Sequence, residues 1–69
     1  MIDPLFQYRQ LNEAGVQKGI DIAQAFTDCL DKLRLLCPEG REFALVKTHL
    51  ETASFWAKKS MANDRTNQT

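Results

Sequence analysis

The sequence is short of cysteine, glycine and proline, has a single histidine, and carries no excess charge of either sign. Each shortage excludes something. Cys29 and Cys37 are the only two cysteines in 69 residues, whereas a disulfide framework in a short secreted chain shows four or more. A structural zinc site needs about four ligands, and the only further candidate is His49, so no metal and no cofactor are expected. Nine Lys and Arg balance nine Asp and Glu. That balance argues against a general binder of DNA or long RNA, whose footprint is a strong basic excess. It leaves room for one local basic pocket. No apolar run approaches the ~20 residues that span a bilayer, and Met1 opens no signal peptide. No membrane partner is therefore expected, and free thiols fit a reducing cytoplasm.

What is present is a small helical pattern. A chain of 69 residues makes one domain and buries only a modest fraction of its surface, so a lone copy would be marginally stable. With disulfides and metal set aside, self-association is the remaining remedy. Asp3-Pro4 reads as a helix start, with Asp3 as N-cap and Pro4 in the first turn, opening a short segment to about Leu11. Asn12 reads as the N-cap of a long helix reaching about Leu36. Gly15 and Gly19 weaken its first turns by about 1 kcal/mol each relative to Ala. Either they allow close approach of a ligand or a second helix, or they are merely tolerated.

Within this helix Val16, Gly19, Ala23, Phe26, Leu30, Leu33 and Cys37 alternate spacings of three and four, the seam of packed helices. Pro38-Glu39-Gly40 breaks the pattern, and a short turn makes the two long helices antiparallel neighbours. The second helix begins near Arg41, where Glu39 and Glu42 suit its positive end. Its expected seam is Phe43, Val46, Leu50, Ala53, Ala57 and Ser60, with Phe55, Trp56 and Met61 on another row. Asn63-Asp64 offers a stop. The fold class is thus all-α: an antiparallel two-helix hairpin over residues 1–63 with a short N-terminal helical segment, followed by a polar tail, 64–69, expected to be disordered. Two helices bury only the strip between them. Ile22, Cys29, Leu36, Phe55 and Trp56 are left over, and an apolar patch of that kind marks an interface, so a helical homo-oligomer is expected.

No catalytic constellation is visible. No Gly-rich phosphate loop, HExxH or CxxC occurs, and His49 has no nucleophile and carboxylate spaced to serve it. The chain is read as a non-enzyme, with no catalytic residues. The antiparallel turn does place Tyr8, Arg9 and Lys18 at the same end as Lys58, Lys59 and Arg65. Aromatic rings stack on bases and cations pair with phosphate. Such an end suits a nucleotide, although two lysines at a helix C-terminus also simply complement the helix dipole.

The run from Phe43 to Lys59 carries the pattern Ala-x-x-Lys-Thr-x-Leu-x-x-Ala-Ser-x-x-Ala followed by a basic residue, and Tyr8-Arg9-x-Leu11 precedes the first helix. Together these resemble the hairpin family of phage anti-CBASS sponge proteins and the related Thoeris anti-defence sponges. The resemblance covers nearly the whole chain apart from the tail. It implies a compact helical homo-hexamer in the host bacterial cytoplasm. That assembly would bind and sequester cyclic dinucleotides and cyclic trinucleotides, in separate pockets, without degrading them. It implies that Tyr8 stacks on a base with Arg9 beside it, that Thr48 of the Lys47-Thr48 pair makes a polar contact, and that Lys59 closes the motif. Many relatives have arginine there, and lysine keeps the charge without the bidentate fork. Lys18 matches the family's phosphate-binding lysine on the first helix after a gap. The sequence shows no β-rich N-terminal domain of the Thoeris branch, which favours cyclic oligonucleotides over cyclic ADP-ribose isomers. The competing reading is a structural or regulatory helical oligomer that binds a host protein through Phe55 and Trp56.

Overall fold

Two long helices lie antiparallel, and a short turn of the C-terminal segment closes their open end. The computed structural model describes residue 3 and residues 10–69. The expected helix start at Asp3-Pro4 and the segment following it fall outside the described residues, apart from Asp3, Gln10 and Leu11, none of which is helical. Helix α1 spans Glu13–Leu36 and helix α2 spans Arg41–Ala62. The sole β pairing among the described residues is an isolated bridge between Leu11 and Gln68. None of the described helices is long and apolar enough to cross a membrane.

Local chemistry fixes the helix ends. Asn12 caps α1, its side-chain oxygen accepting the Gly15 N–H at 2.8 Å, which satisfies a donor that has no partner inside the helix. Glu13 and Glu42 lie in the first turns of α1 and α2, where a carboxylate complements the positive helix end. Cys37 ends α1 with extended backbone, and its N–H returns to the Leu33 carbonyl at 2.9 Å. Pro38 cannot continue the helix.

The inward rows differ from the expected seam in an orderly way. On α1 the positions turned inward are Gly15, Gly19, Ile22, Phe26, Leu30 and Leu33. Val16 is 52% exposed, and Ala23 is exposed. On α2 the inward row is Phe43, Val46, Leu50, Ser54, Ala57 and Met61, while Ala53 and Ser60 face outward. The expected rows followed a strict 3.5-residue repeat, which requires supercoiling. A straight helix of 3.6 residues per turn drifts about 20° per heptad from that repeat. Counting at 3.6 from Phe43 reaches Ser54 and Met61, and counting back from Leu33 reaches Ile22 and Gly15.

The tail is ordered, contrary to the expectation from its polarity. Arg65–Asn67 forms a 3₁₀ turn that packs on the start of α1 and the end of α2. Asp64 initiates it, accepting from the Thr66 N–H at 3.0 Å and the Thr66 hydroxyl at 2.8 Å. Asn12 donates its backbone N–H to the Asn67 carbonyl at 2.9 Å, and its side-chain amide reaches the Thr66 and Gln68 carbonyls at 2.9 and 3.1 Å. Asn67 is 2% exposed. Hydrogen bonding, not apolar burial, holds the segment, so composition does not reveal it. Both Thr66 hydrogen bonds, backbone first, hold the Asp64 carboxyl below its ordinary 3.8, and the Lys18 charge adds a smaller pull.

Gly15 is the point of closest approach. A Cβ there would collide with the Asn67 backbone oxygen, whereas a Cβ at Gly19 would meet only the Met61 Cε at 3.6 Å, an ordinary contact. In a helix Gly→Ala ordinarily stabilises by about 0.5–1 kcal/mol. The two glycines should therefore separate in melting curves recorded at equal protein concentration. Gly19→Ala should raise Tm, and Gly15→Ala should lower it by several degrees and expose the tail to protease. Equal shifts in one direction would mean that the tail is not docked. Because the folded Asp64 pKa is depressed, its contribution is complete above the ordinary value and disappears as pH falls through the folded one. The Thr66 amide resonance should thus titrate with a midpoint below 3.8, and a midpoint at or above that value would disprove the Asp64–Thr66 contact.

Candidate functional site

The residues singled out by the sequence fall on three separate surfaces. Tyr8 and Arg9 lie outside the described residues. Lys18, in the second turn of α1, donates to the Asn67 side-chain oxygen at 2.8 Å. It thus lies exposed beside the C-terminal turn. Val16 and Lys18 are two residues apart on a helix and so project in nearly opposite directions. Val16 lines an open groove of about 640 Å³ at the free end of the hairpin, with Gln10, Leu11, Gly19, Lys58 and Lys59. Lys18 shares an end of the hairpin with Lys58 and Lys59, but not a groove.

Thr48 belongs to a third surface, the outer face of α2, and Lys59 lies where that face meets the free-end groove. Thr48, Thr52, Phe55 and Lys59 are spaced four, three and four apart, which places them along one stripe, with Trp56 beside it. Phe43, Leu50 and Met61 occupy the opposite, inward side. Phe55 and Trp56 are 62% and 65% exposed, and Leu45 extends the same face at 50%. Thr52, Phe55, Trp56 and Lys59 together line a shallow groove of about 310 Å³. The Lys59 ammonium stands 5.7 Å from the centroid of the Trp56 ring, within the range of a cation–π contact. Thr48 and Lys59 share the stripe but are eleven residues apart, about 16 Å along the axis, too far for one phosphate to touch both.

The hydroxyls on this face are committed as donors. Thr48 Oγ1 donates to the Ala44 carbonyl and Thr52 Oγ1 to the Thr48 carbonyl, each at 3.1 Å. Each oxygen keeps acceptor capacity, so in this rotamer Thr48 suits a donor such as a base amino group. Lys47, its neighbour in the motif, is turned inward. Its ammonium lies 5.4 Å from the Phe43 ring centroid and 3.5 Å from Glu39 Oε2. No cluster of His, Cys, Asp and Glu able to hold a metal occurs among the described residues. The stripe brings together an aromatic pair, a cation and hydroxyl acceptors, groups that can stack on a base and attract an anion.

Three elements of this arrangement were missed from the sequence. Thr52 is one of them, and its four-residue spacing from Thr48 would have placed it on the stripe. Leu45 is another, and it lies in neither of the two rows expected on α2. Asn67 is the third, and the Asp64-x-Thr66 spacing before it is a side-chain-to-backbone turn signature.

The model of the Acb2/Tad1 hairpin domain matches residues 1–62. No curated protein and no solved structure matches the chain. The match covers both helices, the turn between them and the Tyr8-Arg9-x-Leu11 element, and stops short of the C-terminal turn. On that extent of agreement, together with the observed helical hairpin, the chain belongs to the Acb2/Tad1 hairpin-domain family.

Proposed function

We propose that this protein is a phage or prophage anti-defence sponge acting in the host bacterial cytoplasm. It binds cyclic dinucleotides and cyclic trinucleotides that serve as immune signals, and releases them chemically unchanged. The observation that carries the reading is the family match over residues 1–62. In this reading Tyr8 stacks on a base with Arg9 beside it, Lys18 and Lys59 attract phosphate, and Thr48 supplies a polar contact. The separation of Lys18 from the outer face of α2 supports a pocket completed by more than one chain, and a closed homo-hexamer repeats each half-site by symmetry. Sequestration requires affinity and no bond cleavage.

The hairpin's apolar surface supports self-assembly independently. Phe43 is the one fully buried large apolar residue among those described, while Val16, Ile20, Leu35, Leu36, Leu45, Phe55 and Trp56 are each at least half exposed. Burying a large apolar side chain is worth about 1.5–3 kcal/mol. Light scattering at micromolar concentration should therefore give several times the 7.9 kDa of one chain. Trp56→Asp should shift the mass toward that of one chain or unfold it, because a charge would replace an interface aromatic. A stable folded monomer of the parent chain would end the proposal of an assembly.

Two further measurements test the ligand. Incubation with a cyclic dinucleotide, denaturation and chromatography should return the intact ligand. Product growing with protein and time would refute sequestration. Tyr8→Phe should bind nearly as well as the parent, and Tyr8→Ala should lose about 1–3 kcal/mol, roughly 5- to 150-fold. Unchanged affinity in a folded, oligomeric Tyr8→Ala variant would refute stacking. Phe55 and Trp56 also favour a second reading, a helical oligomer that docks a host protein through this exposed face. That reading predicts no calorimetric heat with any cyclic nucleotide.

A further inference from the structure

We infer that Asn67 is a positioning residue that holds the Lys18 ammonium in place while leaving its charge whole for a phosphodiester. The inference rests on the proposed role of Lys18 in binding phosphate. It concerns a segment that the family match, ending at residue 62, does not include.

Asn67 is fixed at several atoms. Its side-chain oxygen accepts from Lys18 at 2.8 Å, and its side-chain nitrogen donates to the Met61 carbonyl at 2.9 Å. Its backbone carbonyl accepts from the Asn12 N–H at 2.9 Å, and its own N–H donates to the Asp64 carbonyl at 3.0 Å. The side chain is therefore oriented from both ends. Rotating the amide by half a turn would set its NH₂ against the ammonium and its oxygen against the Met61 carbonyl. Only the observed orientation satisfies both neighbours, and at 2% exposure water cannot readily replace either partner.

The chemical identity of the acceptor matters. An ammonium carries three N–H donors, and the Asn67 oxygen uses one. A neutral amide oxygen neutralises none of the charge, whereas a carboxylate in the same place would form an ion pair and compete with any incoming phosphate. Among the described residues the ion pairs are Arg34–Asp31 and Lys47–Glu39, and Lys18 is in neither. Asp64 is the carboxylate that senses Lys18, but it forms no ion pair with it, and its Oδ1 accepts both Thr66 hydrogen bonds. The clamp also removes rotamer freedom from the lysine on folding, so less is lost when an anion binds. Lys18 is thus prearranged as a held but unneutralised cation.

The experiment is a coupling cycle on the full chain. Parent, Asn67→Asp, Lys18→Gln and the double variant are titrated calorimetrically with a 3′,3′-linked cyclic dinucleotide at two salt concentrations, with apo melting curves and light scattering alongside. Asn67→Asp should weaken binding roughly tenfold, the scale of a lost charge-assisted contact. It should also flatten the salt dependence to that of Lys18→Gln. In the Lys18→Gln background it should cost markedly less, since only direct repulsion between the new carboxylate and the phosphate remains, and that coupling is the result a merely structural role would not give. An equal loss in both backgrounds, or no loss in either, would overturn the inference and leave the sponge reading standing. A parent that binds no cyclic dinucleotide would remove the sponge reading and this inference with it. If Asn67→Asp melts apart, Asn67→Ala takes its place. It frees the ammonium without neutralising it, and should weaken binding by a smaller factor, again only when Lys18 is present.

Discussion

Two helices packed against each other bury one strip apiece, and among the described residues of a chain of 69 that strip is most of the core. Phe43 alone among the large apolar residues described becomes fully buried. The rest of the inward row is half-covered apart from the buried Gly15, with a glycine at two positions and a serine at a third. Folding loses roughly 1–2 kcal/mol of backbone entropy per residue, and so narrow a seam offsets it only marginally. The remaining features follow from that constraint. Apolar side chains that find no partner within the hairpin stay on its surface, and hydrogen bonds from Asn12 and Lys18 hold the C-terminal turn at the open end.

The parts of the fold that the sequence made legible are those written in local chemistry. Asn12 as N-cap, Pro38 as a break and Arg41 as a restart each rest on interactions within a few residues, and the helices run between them. The register of the seam was less legible, because spacings of 3.5 and 3.6 agree over one or two turns and part company after three. Phe26 and Leu30 belong to both patterns. Val16 and Gly15 distinguish them: the unbroken alternation of three and four leads to Val16, and the straight helix turns Gly15 inward. The tail was illegible for a different reason. Its polarity predicts solvation, and pairing with Asn12 and Lys18, far away in sequence, and with Met61, six residues back, turns polar groups into a docked surface.

The candidate site was legible in composition and illegible in arrangement. Lys18, Thr48 and Lys59 were identified by residue type and by family pattern. Their placement depends on which side of a helix each takes, and on how the second helix lies against the first. A shared end of the hairpin is a statement about length, and a shared pocket is a statement about azimuth. Lys18 lies exposed on the flank of α1 beside the C-terminal turn, Thr48 faces away from α1, and Lys59 lies between that outer face and the free-end groove. Knowing that a short turn joins antiparallel helices gives the first kind of statement and not the second.

This division bears on why such a small protein would work as an assembly. A ligand the size of a cyclic dinucleotide needs surfaces on more than one side of it, and one layer of two helices offers only convex faces and shallow grooves. On the proposed reading, a second chain supplies the concavity. The exposed stripe of Thr48, Thr52, Phe55 and Lys59 combines a surface that gains from being covered with groups that can recognise a base or an anion. On the proposed reading, the apolar area a lone hairpin fails to bury drives the chains together, and that association creates the pocket. Stability and binding would then draw on the same residues. The outer face of α2 would tolerate few substitutions, while the exposed face of α1 around Asp21, Gln24 and Asp28, where Gln17 pairs with Asp21 and Gln24 with Asp28 along the helix, would remain free to vary.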